Sequence, residues 1–144
     1  MLDCLAAAFE PYRDDYTPDG YRATVLTAQT IGQRLADMSV LVAVDDGGRI
    51  VGTVAYHLVD AEEGHLRGMA VLPASRGCGV AQRLLERAEA ELRRLGRTRV
   101  TLNTTKPLKR AVAFYERNGF QPSGRVRDFF GMPLFEYVKR LHPL

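Results

Sequence analysis

Arg76-Gly77-Cys78-Gly79-Val80-Ala81 is the stretch of this chain best suited to chemistry. It follows an apolar run, residues 66–72, and a breaker, Pro73, and it opens onto an uninterrupted amphipathic run. The order strand, glycine turn, helix makes an anion site. The first-turn amides of a helix have no partner within it, and the macrodipole adds positive potential there. Glycine removes the Cβ that would hold a pyrophosphate away from the backbone. The pattern predicts a phosphorylated ligand at the start of residues 78–95. A Walker loop would need lysine and Ser/Thr after its last glycine, where Val80 and Ala81 stand. A Rossmann fingerprint would need a small residue at Gln82 and an acid near Asn103 or Thr104. Neither fits, and a tight strand-to-helix connection without a ligand is the competing reading.

Other side chains could move protons. Alternation puts His65, Arg67, Met69 and Val71 on one strand face. An ordinary imidazole titrates near pH 6.5, which suits accepting a proton from an ammonium through water. A lone histidine also reads as a satisfied polar residue. Glu62 and Glu63 read as solvated turn residues, and His57 and His142 have no supporting context. Tyr115 shares an apolar stripe with Leu108 and Ala111, the spacing of core packing. Cys78 sits at a helix N-terminus, which lowers a thiol pKa. With no histidine beside it in sequence, it is not expected to be a nucleophile. Cys4 and Cys78 are too few for a disulfide framework or a zinc site, and no metal is expected.

The rest of the chain must position these groups. At 144 residues it reads as one domain, 1–144. It is 46% hydrophobic and 26% charged, ordinary for a soluble protein, with nothing near the ~18 consecutive apolar residues of a membrane span. No basic start and apolar run mark a signal peptide, and the sparse cysteines suit a reducing cytoplasm. The net charge of +3 is dispersed. Arg83, Arg87, Arg93 and Arg94 alternate with Glu86, Glu89 and Glu91, a solvated helix face rather than a stripe for nucleic acid. A mildly basic surface also suits an anionic cofactor.

Apolar spacing predicts a helix from Leu2 to about Pro11, a loop over 13–20, and a helical region over 21–37 broken at Gly32. Residues 40–44 and 50–59, joined by Asp45-Asp46-Gly47-Gly48, read as a hairpin. A polar turn, 60–64, precedes a third strand, 66–72. The helix after the glycines ends at Gly96, and a β-branched strand follows over 98–102. Pro107 opens a helix carrying Leu108, Ala111, Val112 and Tyr115, which Asn118-Gly119 ends. Two short strands close the chain near 120–128 and 133–141. Alternating strands and helices imply an α/β layer fold with at least one parallel pair.

The Arg-x-x-Gly-x-Ala turn and Phe114-Tyr115-Glu116-Arg117-Asn118-Gly119-Phe120 together resemble the GCN5-related N-acetyltransferases, over about residues 40–141. The resemblance implies a mixed central sheet, splayed at the cofactor site between the strands at 66–72 and 98–102, with flanking helices. It implies acetyl-CoA as acyl donor. The pyrophosphate would lie on the turn that Arg76 opens, against the amides of Gly77, Cys78, Gly79, Val80, Ala81 and Gln82. The pantetheine would pair with the backbone of Ala70, Val71 and Leu72. A backbone N–H on the splayed strand would polarise the thioester carbonyl. By the same resemblance Tyr115 would protonate the departing thiolate, and His65 stands where some members carry a base. The activity implied is acetyl transfer to a primary amine, small-molecule or peptide, by direct attack. A silent acyl-CoA-binding or regulatory domain, or use of another acyl-CoA, are the alternatives. Two departures stand out. Leu108 replaces an asparagine that often contacts pantetheine, and the family's opening strand has no counterpart before Leu2. An edge left open beside 40–44 would invite a homodimer. Residues 12–34 and 121–135 should line the acceptor pocket. Their acids (Asp14, Asp15, Asp19, Asp128) and aromatics (Tyr16, Tyr21, Phe129, Phe130) favour a cationic amine.

Overall fold

A computed structural model of the chain describes residues 1–105 and 108–143. In chain order the elements are α1 (Leu2–Phe9), α2 (Pro18–Thr24), α3 (Ile31–Asp37), β1 (Ser39–Val44), β2 (Ile50–Leu58), β3 (Glu63–Val71), α4 (Val80–Arg94), β4 (Arg99–Thr104), α5 (Lys109–Arg117), β5 (Gln121–Phe129) and β6 (Met132–Arg140). The strands form a six-stranded sheet in the order β1-β2-β3-β4-β6-β5. Among the described residues only β3 and β4 are parallel. Their connection carries α4, as a parallel crossover requires.

Register explains the opening at the middle of the sheet. β3 pairs with β4 from Glu63↔Arg99 to Leu66↔Leu102 and no further. Beyond that point β3 runs on to Val71 and β4 to Thr104 without pairing, so the two strands part. β3 also bulges against β2, between the pairs Ala55↔Arg67 and Thr53↔Ala70. Gly68 lies in the bulge at φ +68°, where any side chain would be strained.

Two apolar clusters hold the layers. Leu84, Leu85, Ala88 and Leu92 of α4 and Tyr115 of α5 pack with Val54, Leu66, Val100 and Leu102 of the sheet. Leu5 and Phe9 of α1, with Tyr16 and Leu26, pack with Val51, Ala70 and Leu72. Each fully buried side chain of this kind contributes about 1.5–3 kcal/mol.

Several sequence expectations shift. The first helix stops at Phe9, and Pro11 falls inside a 3₁₀ turn over Glu10–Asp15. The helical region over 21–37 is two helices, and the break falls at 25–30 rather than at Gly32. Thr17 caps α2 by accepting from the Gly20 amide, with Pro18 at the first helical position. Thr30 Oγ1 accepts from the Thr27 amide at 2.8 Å and closes the turn before α3. β3 starts at Glu63, inside the expected polar turn, because Gly64 pairs with Leu58 on one side and Val100 on the other. Glu89 is not on a solvated face. It is buried and takes Lys139 Nζ at 2.7 and 3.0 Å, tying α4 to β6. The helix start expected at Pro107 lies outside the described residues.

Candidate active site

The parting of β3 and β4 opens into a cleft of ≈ 1440 Å³. That exceeds the roughly 300–1,000 Å³ of an ordinary small-molecule pocket. One end is the glycine turn. Gly77 and Gly79 hold φ +81° and +78°, and a Cβ at either would meet nothing within 4 Å. Gly79 is the N-cap of α4 and no side chain caps the helix. The first-turn amides of Val80, Ala81 and Gln82 therefore face open space beside Arg76, with all four residues lining the cleft.

The middle of the cleft is the unpaired part of the sheet. Leu72 gives its amide to Val51 O at 2.8 Å, and its carbonyl accepts from Ser75 N at 2.9 Å. The pleat then turns the amide and carbonyl of Val71 toward the edge that β4 has left. Opposite, on the parted end of β4, Asn103 Oδ1 and Thr104 Oγ1 are buried without a hydrogen-bond partner among the described residues. A chain carrying its own amides could pair with the Val71 edge, and the unpartnered atoms of β4 leave acceptors beside the same gap. Ala70, Val71 and Leu108 line this stretch, whereas Leu72 is in the core and Cys78 is exposed outside the lining.

Proton-transfer groups stand on both sides of the opening. Thr101 Oγ1 donates to Glu63 Oε2 at 2.9 Å and lies 2.8 Å from His65 Nδ1. A hydroxyl has one proton, so with that proton on Glu63 the threonine oxygen accepts from Nδ1–H. This tautomer leaves His65 Nε2 with its lone pair. Arg99 completes the chain by donating to Glu63 Oε1 at 3.2 Å. Burial first, then the His57 ring 5.4 Å away, lowers the His65 pKa from 6.5 to about 4. His65 is therefore neutral at physiological pH. Glu63, read from sequence as a solvated turn residue, anchors the relay instead.

Tyr115 serves core and cleft together. Its ring makes edge contacts with Phe114 and Phe120 at 5.5 and 5.6 Å, and the residue lines the cleft. Burial raises its pKa well above the usual phenol value, so it stays protonated. No hydrogen bond holds its hydroxyl among the described residues.

The remaining wall comes from the two segments expected to form it. Tyr16, Gln33 and Arg34 line it from one, and Arg127, Asp128 and Phe129 from the other. Asp14, Asp15, Asp19, Tyr21 and Phe130 are not in the lining. Of the four acids expected there, Asp128 lines the cleft, together with Arg34, Arg67 and Arg127. Sequence reading missed Arg34 because one arginine on a mixed helix has no distinguishing pattern. Thr101 was hidden likewise, as a β-branched residue reads simply as strand.

A splayed α/β sheet with an open helix N-terminus at one end of its cleft and a hydrogen-bonded His65–Thr101–Glu63 chain at the other is a layout that suits an acyl-CoA-dependent transferase. The sequence matches the acetyltransferase (GNAT) family model over residues 2–120. It is 32% identical over 132 residues to an IAA acetyltransferase of Azospirillum brasilense, spanning 88% of this chain and 84% of that protein. It is 38% identical over 85 residues to an amino-acid acetyltransferase of Azotobacter vinelandii, spanning 58% of this chain but 19% of that protein. The solved PaiA N-acetyltransferase of Thermoplasma acidophilum, in complex with coenzyme A, superposes with a TM-score of 0.77 at 17% identity, over 96% of this chain and 89% of its own. A GNAT-family acetyltransferase of Staphylococcus aureus superposes equally well, with a TM-score of 0.77 at 18% identity over 98% of this chain and 91% of its own. The chain belongs to the GNAT family of acetyltransferases.

Proposed function

We propose that this chain transfers an acetyl group from acetyl-CoA to a primary amine by direct attack, with no covalent enzyme intermediate. The single observation that carries the reading is the continuity of one cleft from the uncapped α4 N-terminus, past the unpaired edge of β3, to His65 and Tyr115. The pyrophosphate of the donor would rest on the amides from Gly77 to Gln82 with Arg76 beside them. Its pantetheine would run along Val71, facing Asn103 and Thr104. Leu72 has its amide and carbonyl engaged within the protein, so its part is to hold the strand edge rather than to pair with the donor.

In the reaction the amine nitrogen attacks the thioester carbonyl carbon, the C–S bond breaks, and the nitrogen gives up one proton. A backbone N–H on the unpaired β3 edge would steady the oxyanion. His65 Nε2 would take the proton, directly or through a water, with Glu63 and Thr101 holding the ring. Tyr115, kept protonated by burial, would supply the proton that the leaving thiolate collects, and the proton on His65 would return to the tyrosine through solvent, so that amide and CoA thiol form with no net proton change. Holding both reactants in one cleft contributes proximity beyond any single group.

Two measurements test this. Calorimetric titration with acetyl-CoA should show binding to the wild type and none to a folded Gly79→Asp variant, which places a carboxylate on the phosphate path. Thiol release should then be followed with a panel of amines. Binding without thiol release from any amine would leave a silent acyl-CoA-binding domain. Unchanged affinity in Gly79→Asp would remove the phosphate site from the glycine turn.

A further inference from the structure

Among the described residues, Arg34 is the one buried charged side chain of the cleft without a partner. It is 7% exposed and lines the cleft, and among the described residues its guanidinium makes no hydrogen bond and no ion pair. The carboxylates of the cleft are engaged elsewhere. Glu63 takes Arg99 and Thr101, and Glu136 takes Ser123 and Arg125. Asp37 accepts from Gln33 at 2.7 Å, and Asp128 accepts from the Gly131 amide at 3.4 Å. The charge acting on it is another cation, Arg67, whose guanidinium makes, among the described residues, one long hydrogen bond of 3.5 Å to Ala23 O. Burial and Arg67 together push the Arg34 pKa down to about 10, so both groups are still charged at neutral pH.

A charge drawn into a cleft with no partner costs stability, and a ligand of opposite charge offsets that cost. The surroundings are shaped to hold this one. A Cβ at Gly68 would stand 2.6 Å from Arg34 Nη1, so the glycine of the β3 bulge is what admits the guanidinium. Gly68 also lies on the stretch of β3 that has parted from β4, between His65 and Val71. The guanidinium thus lies against the parted stretch of β3, at Gly68, three residues from His65. A guanidinium presents paired donors matched to a carboxylate, which a lysine ammonium does not.

We propose that Arg34, with Arg67 beside it, binds a carboxylate of the acceptor, so that the substrate is a small amine bearing a carboxylate, of the amino-acid class. The proposal rests on the transferase reading above, and it adds an anionic group to the cationic amine that the loop composition suggests. The incoming carboxylate supplies the counter-charge that no carboxylate of the cleft gives Arg34, and it turns the amine of the same molecule toward the donor.

The test uses the chain loaded with CoA and titrates it with the standard free amino acids, β-alanine, and the matching carboxamides. At least one free acid should bind, and its carboxamide should bind about 30-fold more weakly or worse, since truncating one partner of a buried charged hydrogen-bonded pair costs that much. Arg34→Met, which keeps the apolar stem, should lose the discrimination while CoA affinity is unchanged. Its thermal midpoint without acceptor should equal or exceed the wild type, because an uncompensated buried charge has been removed. Arg67→Gln should weaken acid binding by a smaller factor. Equal binding of acids and carboxamides, or binding of neither, overturns the proposal, as does a large fall in the midpoint of Arg34→Met. Acids that bind but release no thiol from acetyl-CoA would keep the subsite and sink the transferase reading instead.

Discussion

At the scale of single residues, the two proton-transfer candidates differ in what holds them. His65 is fixed through Thr101 to Glu63, and burial keeps it neutral with a pKa of about 4. An activity limb set by His65 should therefore fall near pH 4, not near the pH 6.5 of an exposed imidazole. Stability should respond in the same window. Between about pH 6.5 and 4 the unfolded chain binds a proton on this histidine that the folded chain does not. The folded state therefore loses stability as pH falls through that range. The urea midpoint should drop more over this interval in wild type than in His65→Gln. Identical slopes would mean that the ring is charged when folded. Tyr115 has no relay. Tyr115→Phe keeps the ring contacts and removes a hydroxyl with no partner among the described residues. It should fold normally, bind CoA as wild type does, and lose about 10²–10⁴-fold in kcat if it acts as the acid. Full kcat, with chemistry limiting, would make the hydroxyl idle. The spacing of Leu108, Ala111 and Tyr115 could not separate these roles, because a stripe residue that lines a cleft has the same period as one that only packs.

At the scale of elements, the glycine turn and α4 were plain in the sequence, since strand, breaker, glycines and amphipathic run are all local signals. The start of β3 was not. Glu63, Gly64 and His65 have weak strand propensity, and only pairing on both edges makes them strand. The polar side of α4 misled for a similar reason. Its alternating charges read as solvated until β6 brings Lys139 against Glu89, 4% exposed, with Arg93 3.8 Å away. This contact predicts more than a surface ion pair would. Lys139→Met leaves a buried carboxylate with one distant partner and should cost about 1–3 kcal/mol in urea unfolding. Adding Glu89→Gln should recover part of that loss, because the uncompensated charge is then gone. A loss below a few tenths of a kcal/mol would return the pair to the ordinary surface class, worth roughly 0.2–1 kcal/mol.

At the scale of the whole molecule, the sheet is left incomplete at its centre rather than only at its margins. β3 and β4 share four paired positions and then part, so Val71 on one side and Asn103 and Thr104 on the other face a gap instead of each other. Such a sheet is weakest where it works. Local openings draw on regions with unpaired backbone and few cross-strand contacts. A donor lying in the gap as an extra strand would pair with the Val71 edge, and its binding energy would be added to the folded state alone. At a CoA concentration one hundred times Kd, linkage adds about 2.7 kcal/mol. For a chain of this size that is a rise of roughly 5–11 °C in Tm. The rise should be matched by local protection. Amide exchange should slow most over the end of β3, the parted end of β4 and the first turn of α4, and least in the β5–β6 hairpin. A Tm rise with protection confined to the glycine turn would place the phosphates there but leave the strand-like pantetheine without support. Protection spread evenly over the sheet would mean that CoA stabilises the fold globally and the gap has no special weakness to repair.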